Sequence, residues 1–321
     1  MNSRKIAENM QIFSGNANRP LAAAVAAACG MPLSEAQINH FSDGEIKVRY
    51  PQSIRAGDVF IIQPTGKPVS DNLMELLIMI DAAVRASATR VTAVMPYFGY
   101  ARQDRKDEPR VSITAKLVAN LLTKAGVHRL LTLDLHAGQI QGFFDIPVDH
   151  LYGAPVLAQY FAKLTDVTVV SPDAGGVQRA RAFAKIVDAP LAIVDKRRPR
   201  ANVAEVMNII GEVRGRRCVL VDDIIDTAGT IVHAADALKA AGAVEVYACC
   251  SHGVLSGPAA ERIAASCLTR VVTTDTLHHA GLPGKVERLT VAPLLAEAML
   301  KIHSGDSLST LFAGGRPSGE R

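Results

Sequence analysis

The stretch Val219-Leu220-Val221-Asp222-Asp223-Ile224-Ile225-Asp226-Thr227-Ala228-Gly229-Thr230 joins an apolar, strand-forming run to two adjacent carboxylates and then to a loop of small residues. Ile231, Val232, Ala235 and Leu238 follow at helical spacing. This order predicts acids at the carboxyl end of a strand and a loop at a helix N-terminus. Unsatisfied N–H groups and the positive end of the helix dipole favour a phosphate there. Carboxylates do not attract a phosphate; they suit hydroxyl donors, as on a sugar, or a hydrated metal ion. Asp222, Asp223, Asp226, Thr227, Ala228, Gly229 and Thr230 are therefore candidates for holding a phosphorylated sugar. A buried strand with a polar turn and an N-cap would account for the helix start, but it leaves the paired acids and both threonines without a reason.

Other residues are placed for anion chemistry. Ile193-Val194-Asp195-Lys196-Arg197-Arg198-Pro199 sets three cations at a strand end, where a solvated charge run is the competing reading. Lysine offers a compact charge and arginine a planar fork for phosphate oxygens. Tyr100–Arg110 is dense in charge and reads as a surface loop, of a kind that can fold over a polyphosphate as a lid. Asp134 and His136 occupy alternate positions of an expected strand end, so both side chains can point the same way. Ser171-Pro172-Asp173-Ala174-Gly175-Gly176 supplies a further strand-end acid that could equally cap a helix. Phe41-Ser42-Asp43-Gly44-Glu45 reads as a turn between two strands. Neither a Walker A pattern nor a GxGxxG after a strand occurs, and no serine triad order or zinc spacing stands out.

These residues need a scaffold, and strand-like runs alternate with helix-like runs along the chain. Strands are expected at 58–63, 91–95, 130–135, 167–170, 191–195, 245–250 and 271–274. Helices are expected at 21–29, 71–87, 112–125, 154–164, 176–186, 258–266 and 293–302. Alternation with short links predicts an α/β fold of mainly parallel sheets flanked by helices. The series restarts after Tyr152-Gly153, and Leu133-Asp134-Leu135-His136 echoes Val221-Asp222-Asp223. Two similar domains are therefore expected, 10–150 and 151–310. The chemical residues fall at strand carboxyl ends, where open α/β sheets bind ligands, which predicts one composite site.

Composition agrees. The chain has 321 residues, long enough for two domains. It is 49% hydrophobic, only 5% aromatic and without tryptophan, so its core must be built from Ala, Val, Ile and Leu. A net charge of +4 without a basic stripe calls for no nucleic acid. Five cysteines without CxxC spacing suit a reducing, cytoplasmic setting, and no signal peptide or membrane span is expected.

The loop 222–230 resembles the phosphoribosyl-diphosphate signature of type I phosphoribosyltransferases. From Ile12-Phe13-Ser14-Gly15 to Ser307-Leu308-Ser309-Thr310-Leu311-Phe312, the chain is similar to the ribose-phosphate diphosphokinase family. The resemblance implies two phosphoribosyltransferase-type domains. It also implies transfer of the diphosphoryl group of ATP to the anomeric hydroxyl of ribose 5-phosphate, with Mg²⁺. It makes Lys196 the main catalytic residue and sets Arg198 at the ribose phosphate. It assigns Arg102 and Gln103 to ATP, Phe41 to the adenine face, and Asp43 and Glu45 to the adenine edge. His136 and Asp173 become the magnesium contacts. A homohexamer is implied, with 41–45 reaching a neighbouring subunit's site. Two alternatives on the same fold are a phosphoribosyltransferase that consumes the product and a non-catalytic regulatory homologue. The first has no use for the Arg102 lid or the Lys196 strand, and the second usually loses catalytic residues that are present here.

Overall fold

The computed structural model describes residues 9–197 and 206–312. The chain divides into two compact units. The first takes the described residues up to Leu151 together with Thr276–His278 and Val291–Leu311, and the second takes Tyr152–Asp275 with His279–Thr290.

The first unit opens with strand β1 (Met10–Ser14) and helix α1 (Arg19–Ala28). Asn18 caps that helix, its side-chain oxygen accepting from the Leu21 N–H at 3.2 Å. A separate antiparallel hairpin pairs β2 (Gln37–His40) with β3 (Ile46–Arg49). Then come β4 (Asp58–Ile62), α2 (Val69–Arg85), β5 (Arg90–Met95), α3 (Thr114–Ala125), β6 (Arg129–Leu133) and β7 (Val148–Leu151). The sheet order is β1-β4-β5-β6-β7, with every pair parallel. All of β4 is buried, as a parallel strand covered on both faces must be. Helix α2 turns Leu73, Leu76, Met79, Ile80 and Ala83 inward, and places Asp71 in its first turn and Arg85 in its last, both favourable to its dipole. Helix α3 stops at Gly126, whose φ of 101° is left-handed and suits a residue without Cβ.

The second unit holds α4 (Ala154–Phe161), β8 (Val167–Ser171), α5 (Val177–Ile186), β9 (Leu191–Arg197), β10 (Val206–Ile210), β11 (Arg217–Ile225), α6 (Gly229–Ala240), β12 (Glu245–Gly253), α7 (Ala259–Ala265), β13 (Arg270–Thr274) and β14 (Val286–Leu289). Its sheet order is β10-β9-β8-β11-β12-β13-β14. Among the described residues only β10 runs antiparallel in this sheet, against β9. Phe161, Phe183, Val219 and Val221 pack on one face, and Leu220, Ala234, Leu238 and Ile263 on the other. Strand β8 pairs with β9 on one side and β11 on the other, so successive connections leave in opposite directions. The crevice beyond the carboxyl ends of β8 and β11 is therefore the topological switch point of this sheet.

After the second sheet the chain re-enters the first unit as α8 (Ala292–Ser304). Arg90 Nη2 donates to the Ile302 carbonyl at 3.0 Å, and His303 Nδ1 lies 2.5 Å from Asp58 Oδ2. The expected cut near residue 150 is thus not the whole division, because the closing helix packs with the first unit rather than extending the second.

Two local expectations are corrected. Strand β11 does not end at the twin acids but runs on to Ile225, with Ile224 and Ile225 still paired to His252 and Gly253. Strand β6 ends at Leu133, and Asp134 has a left-handed φ of 40°. Asp134 and His136 therefore sit on a turn rather than at alternating strand positions. The short strands β7, β10 and β14 were not anticipated, since none carries an apolar run long enough to announce itself.

Candidate functional site

The switch point of the second unit gathers most of the sequence-predicted sugar-binding residues. Asp223 is only 3% exposed and Asp222 is half-buried, both on the last part of β11. The Asp223 N–H donates to Asp222 Oδ1 at 2.8 Å, which ties the first carboxylate to the backbone of the second. Burial pushes the Asp222 carboxyl well above the usual carboxylate range. Its hydrogen bond with Asp223 and the charge of Asp223 push the same way, and the Arg179 guanidinium opposes them.

Beyond β11, Ala228 sits just before α6 with a left-handed φ of 61°. A residue with a Cβ pays about 1 kcal/mol or more to stay there, and such strain is concentrated where a loop must hold a particular shape. The N-cap position of α6 is Ala228, whose methyl side chain accepts nothing from the first turn. Asp226 accepts from the Ser256 hydroxyl, and its carbonyl accepts from the Ser256 N–H at 3.0 Å. Arg262, on α7, donates from Nη1 to the Thr227 carbonyl at 3.0 Å. Thr227 and Thr230 are exposed while Ala228 is buried, so the loop turns its hydroxyl-bearing residues outward.

Asp173 lies past the end of β8. Its Oδ1 accepts the Gly176 N–H at 2.8 Å, and its carbonyl accepts the Ser171 hydroxyl at 2.7 Å. It closes the turn ahead of α5 rather than capping the helix itself, whose N-cap position is Gly176. The neighbouring strand β9 carries Lys196 on its backbone, in register with Met207 of β10. The Lys196 side chain and all of Arg198 lie outside the described residues.

In the first unit, the Tyr100–Arg110 segment follows β5 as a loop. Its start is fixed by Gly99, which approaches so closely that a Cβ would lie 2.4 Å from the Thr65 carbonyl oxygen. Arg102 and Gln103 are exposed on this loop. Gln103 accepts the Thr114 hydroxyl through its side chain, and its carbonyl accepts the Ala115 N–H at 3.1 Å, which anchors it to the start of α3. Asp104 accepts from Gln139 Nε2 at 3.2 Å, so the loop meets the segment that follows His136. His136 itself is exposed.

The hairpin tip presents Phe41 at 52% exposure, with Lys47 Nζ 5.7 Å from its ring centroid. Asp43 Oδ1 accepts the Glu45 N–H at 3.1 Å, and both acids are exposed. An aromatic at a turn that buries only about half its surface adds little to the fold and is available to stack on a planar ligand.

Among the described residues no group of three or more His, Cys, Asp or Glu could hold a metal by itself. His136, on the turn after β6, belongs to the first unit, and Asp173, past the end of β8, to the second. All five cysteines are unpaired, and burial raises Cys218 to about 11 and Cys250 to about 12, leaving them as apolar filler. Among the described residues no helix is long and apolar enough to cross a membrane.

Sequence reasoning missed Arg179, Ser256 and Arg262, because each reaches the site from another element. The only local signal was Arg179 in the first turn of α5, where a cation opposes the helix dipole.

Residues 10–126 match the family model of the N-terminal domain of ribose phosphate pyrophosphokinase, and residues 187–313 match that of the phosphoribosyl synthetase-associated domain. The chain is 59% identical over 312 residues to the ribose-phosphate pyrophosphokinase of Caldanaerobacter subterraneus subsp. tengcongensis, covering 95% of this chain and 98% of the relative. It is 58% identical to ribose-phosphate pyrophosphokinase 2 of Enterococcus faecalis, over 94% of this chain and 96% of that one. The crystal structure of phosphoribosylpyrophosphate synthetase from Mycobacterium smegmatis superposes with a TM-score of 0.87 at 40% identity, covering 93% of this chain and all of that one.

Proposed function

The chain belongs to the ribose-phosphate pyrophosphokinase family, and on that premise we propose how its own residues carry the reaction. It is an enzyme that transfers the diphosphoryl group of ATP to the anomeric hydroxyl of D-ribose 5-phosphate, giving AMP and 5-phospho-α-D-ribose 1-diphosphate. Near full-length relatives at this identity favour catalysis over a regulatory role or a product-consuming transferase.

The observation that carries the sugar site is the order of parts: the twin acids of β11, a loop of small residues, and the start of α6 at an N-cap alanine. The ester phosphate rests on the N–H groups of the 226–230 loop, with the dipole of α6 behind them. Asp222 and Asp223 accept hydrogen bonds from the 2- and 3-hydroxyls, which aims the anomeric oxygen at the β-phosphorus. That oxygen forms a bond to the β-phosphorus and loses its proton. The bond from the β-phosphorus to the oxygen bridging it to the α-phosphorus breaks, and AMP leaves with that oxygen. Lys196 and Arg198 offset charge on the passing diphosphoryl group, a role of electrostatics and positioning rather than base catalysis. Arg102 and Gln103 hold the triphosphate from the loop after β5. Phe41 stacks on adenine, and Asp43 and Glu45 read its edge. His136 and Asp173 would contact Mg²⁺, which when bound neutralises polyphosphate charge.

Phe41 is exposed on its hairpin. A nucleotide pocket completed by a second copy, within a homohexamer, would cover it. Five unpaired thiols suit a reducing, cytoplasmic setting.

Incubation with Mg-ATP and ribose 5-phosphate, followed by phosphorus NMR, tests the reading. AMP and the diphosphorylated sugar should appear in equal amounts. ADP with no AMP, or no turnover, overturns it.

A further inference from the structure

Arg179 is the third residue of α5, a first-turn position where a cation works against the helix dipole. A local choice that opposes local preference needs compensation from elsewhere. Its guanidinium supplies that compensation by reaching across the switch point from the β8 side to β11. Nη1 lies 3.0 Å from Asp222 Oδ1, and Nη2 lies 3.1 Å from Asp223 Oδ1. One planar fork thus engages two different carboxylates through two different nitrogens. A flexible ammonium cannot reproduce that spacing. Gly176 lies beside the fork: a Cβ there would crowd Ser171 Oγ at 2.9 Å but meet Arg179 Nη1 at an ordinary contact distance of 3.7 Å.

Two adjacent acids repel each other, and Asp223 is buried. Left without a cation, the pair would share a proton or turn apart, and either outcome spoils a matched pair of acceptors. We propose that Arg179 is a positioning residue: it locks Asp222 and Asp223 at the spacing that reads the vicinal 2,3-diol of the sugar ester, and so sets preference for ribose 5-phosphate over 2-deoxyribose 5-phosphate. This rests on the sugar-site reading above. With the fork in place both acids face the diol as fixed acceptors, and a sugar lacking the 2-hydroxyl leaves one of them unmatched. A site built to bond a hydroxyl penalises its absence strongly.

The test compares the parent with Arg179→Met and Arg179→Lys, using steady-state kinetics with both sugar esters and a separate ATP titration. A charge-assisted fork to two acids should be worth about tenfold to a hundredfold in KM for ribose 5-phosphate on its loss to Met, with the KM for ATP held within about twofold. The ratio of kcat/KM for ribose over 2-deoxyribose ester should fall by a similar factor in Arg179→Met and recover in part in Arg179→Lys. Added guanidinium should restore part of the Met variant's activity. An unchanged discrimination ratio overturns the proposal. So does a uniform loss toward both sugars and ATP, because a merely structural arginine would produce it. If Arg179→Met does not fold, Arg179→Lys decides by the ratio alone. A parent that makes no AMP at all would instead refute the functional reading, so the two failures are distinguishable.

Discussion

Arg262 Nη1 donates to the carbonyl oxygen of Thr227 at 3.0 Å, so a guanidinium mounted on α7 closes the back of the loop that precedes α6. The same nitrogen lies 3.4 Å from where a Cβ on Gly229 would stand. The contact does two things at once. It fixes a backbone carbonyl of the loop, and it adds positive charge beside the helix N-terminus.

Replacing Arg262 by Met should therefore weaken ribose 5-phosphate binding by about tenfold, the size of one charge-assisted hydrogen bond, with little change in kcat. The arginine is exposed, so thermal stability should move little. Measuring KM for the sugar at two salt concentrations checks it. A parent-like KM at low salt would show that the loop holds its shape without this arginine.

Asp222 is expected to cost the fold stability. Its carboxyl is raised above the ordinary 3.8, chiefly by burial. Between that ordinary value and the raised one, the native state binds more protons than the unfolded chain, so stability falls as pH rises through this window. Asp222→Asn keeps an oxygen for the Asp223 N–H and for Arg179 but carries no charge. It should melt higher than the parent near neutral pH, with the gap shrinking as pH falls toward the ordinary carboxylate value. Its sugar affinity should drop at the same time. Melting curves across that range check the sign, and a gap that stays constant with pH would locate the effect elsewhere.

The contrast between Asp222 and Arg179 shows what was legible in the chain. The twin acids, the small-residue loop and the helix after it are contiguous, so their order alone placed them. The apolar runs of β4, β5 and β8 were equally plain, because a strand buried on both faces must be apolar almost throughout. Arg179 and Arg262 act through folding, each from a different helix, and no spacing along the chain links them to Asp222 or Thr227. The extension of β11 to Ile225 was missed because charge in the sequence looks like a strand end, whereas here Arg179 lets two acids remain on the strand. The return of α8 was invisible for a related reason: its contacts with β4 and β5 depend on Asp58, Arg90 and His303, which are more than two hundred residues apart in part.

Gly99→Ala should disturb the loop proposed to hold ATP. The added carbon would meet the Thr65 carbonyl oxygen at 2.4 Å and the Thr65 hydroxyl at 2.9 Å. Backbone cannot yield as a side-chain tip can, so overpacking should cost about 1–3 kcal/mol. The Gly99 N–H also donates to Thr65 Oγ1 at 2.7 Å, and that bond positions the start of the loop bearing Arg102 and Gln103. The expected result is a lower melting temperature with a raised KM for ATP and an unaltered KM for ribose 5-phosphate. An equal rise for both substrates would show that the damage is not confined to this loop.

Lys196→Ala separates binding from chemistry. Strand β9 continues through Lys196 in register with β10, so shortening one side chain on a paired strand should leave the sheet intact. A charge that acts on the transferring group alone is worth about a thousandfold in kcat. Ribose 5-phosphate binding, followed by calorimetry, should remain near that of the parent. Near-normal AMP release would remove Lys196 from the mechanism.

Phe41→Ala tests the aromatic tip of the hairpin by setting stability against function. At 52% exposure the ring buries too little to matter to the fold, and the Lys47 ammonium 5.7 Å from its centroid adds little at so open a site. Surface changes of this kind usually stay within about 0.5 kcal/mol, so the melting temperature should not move measurably. If the ring stacks on adenine, its loss should raise the KM for ATP by about tenfold, since a base stacked on an aromatic side chain contributes about 1–3 kcal/mol. The effect should vanish for a donor without a purine, such as triphosphate alone, because only the stacking partner has been removed. Equal KM values for ATP in parent and variant would leave Phe41 as an ordinary exposed ring and would move the adenine contact to another part of the first unit.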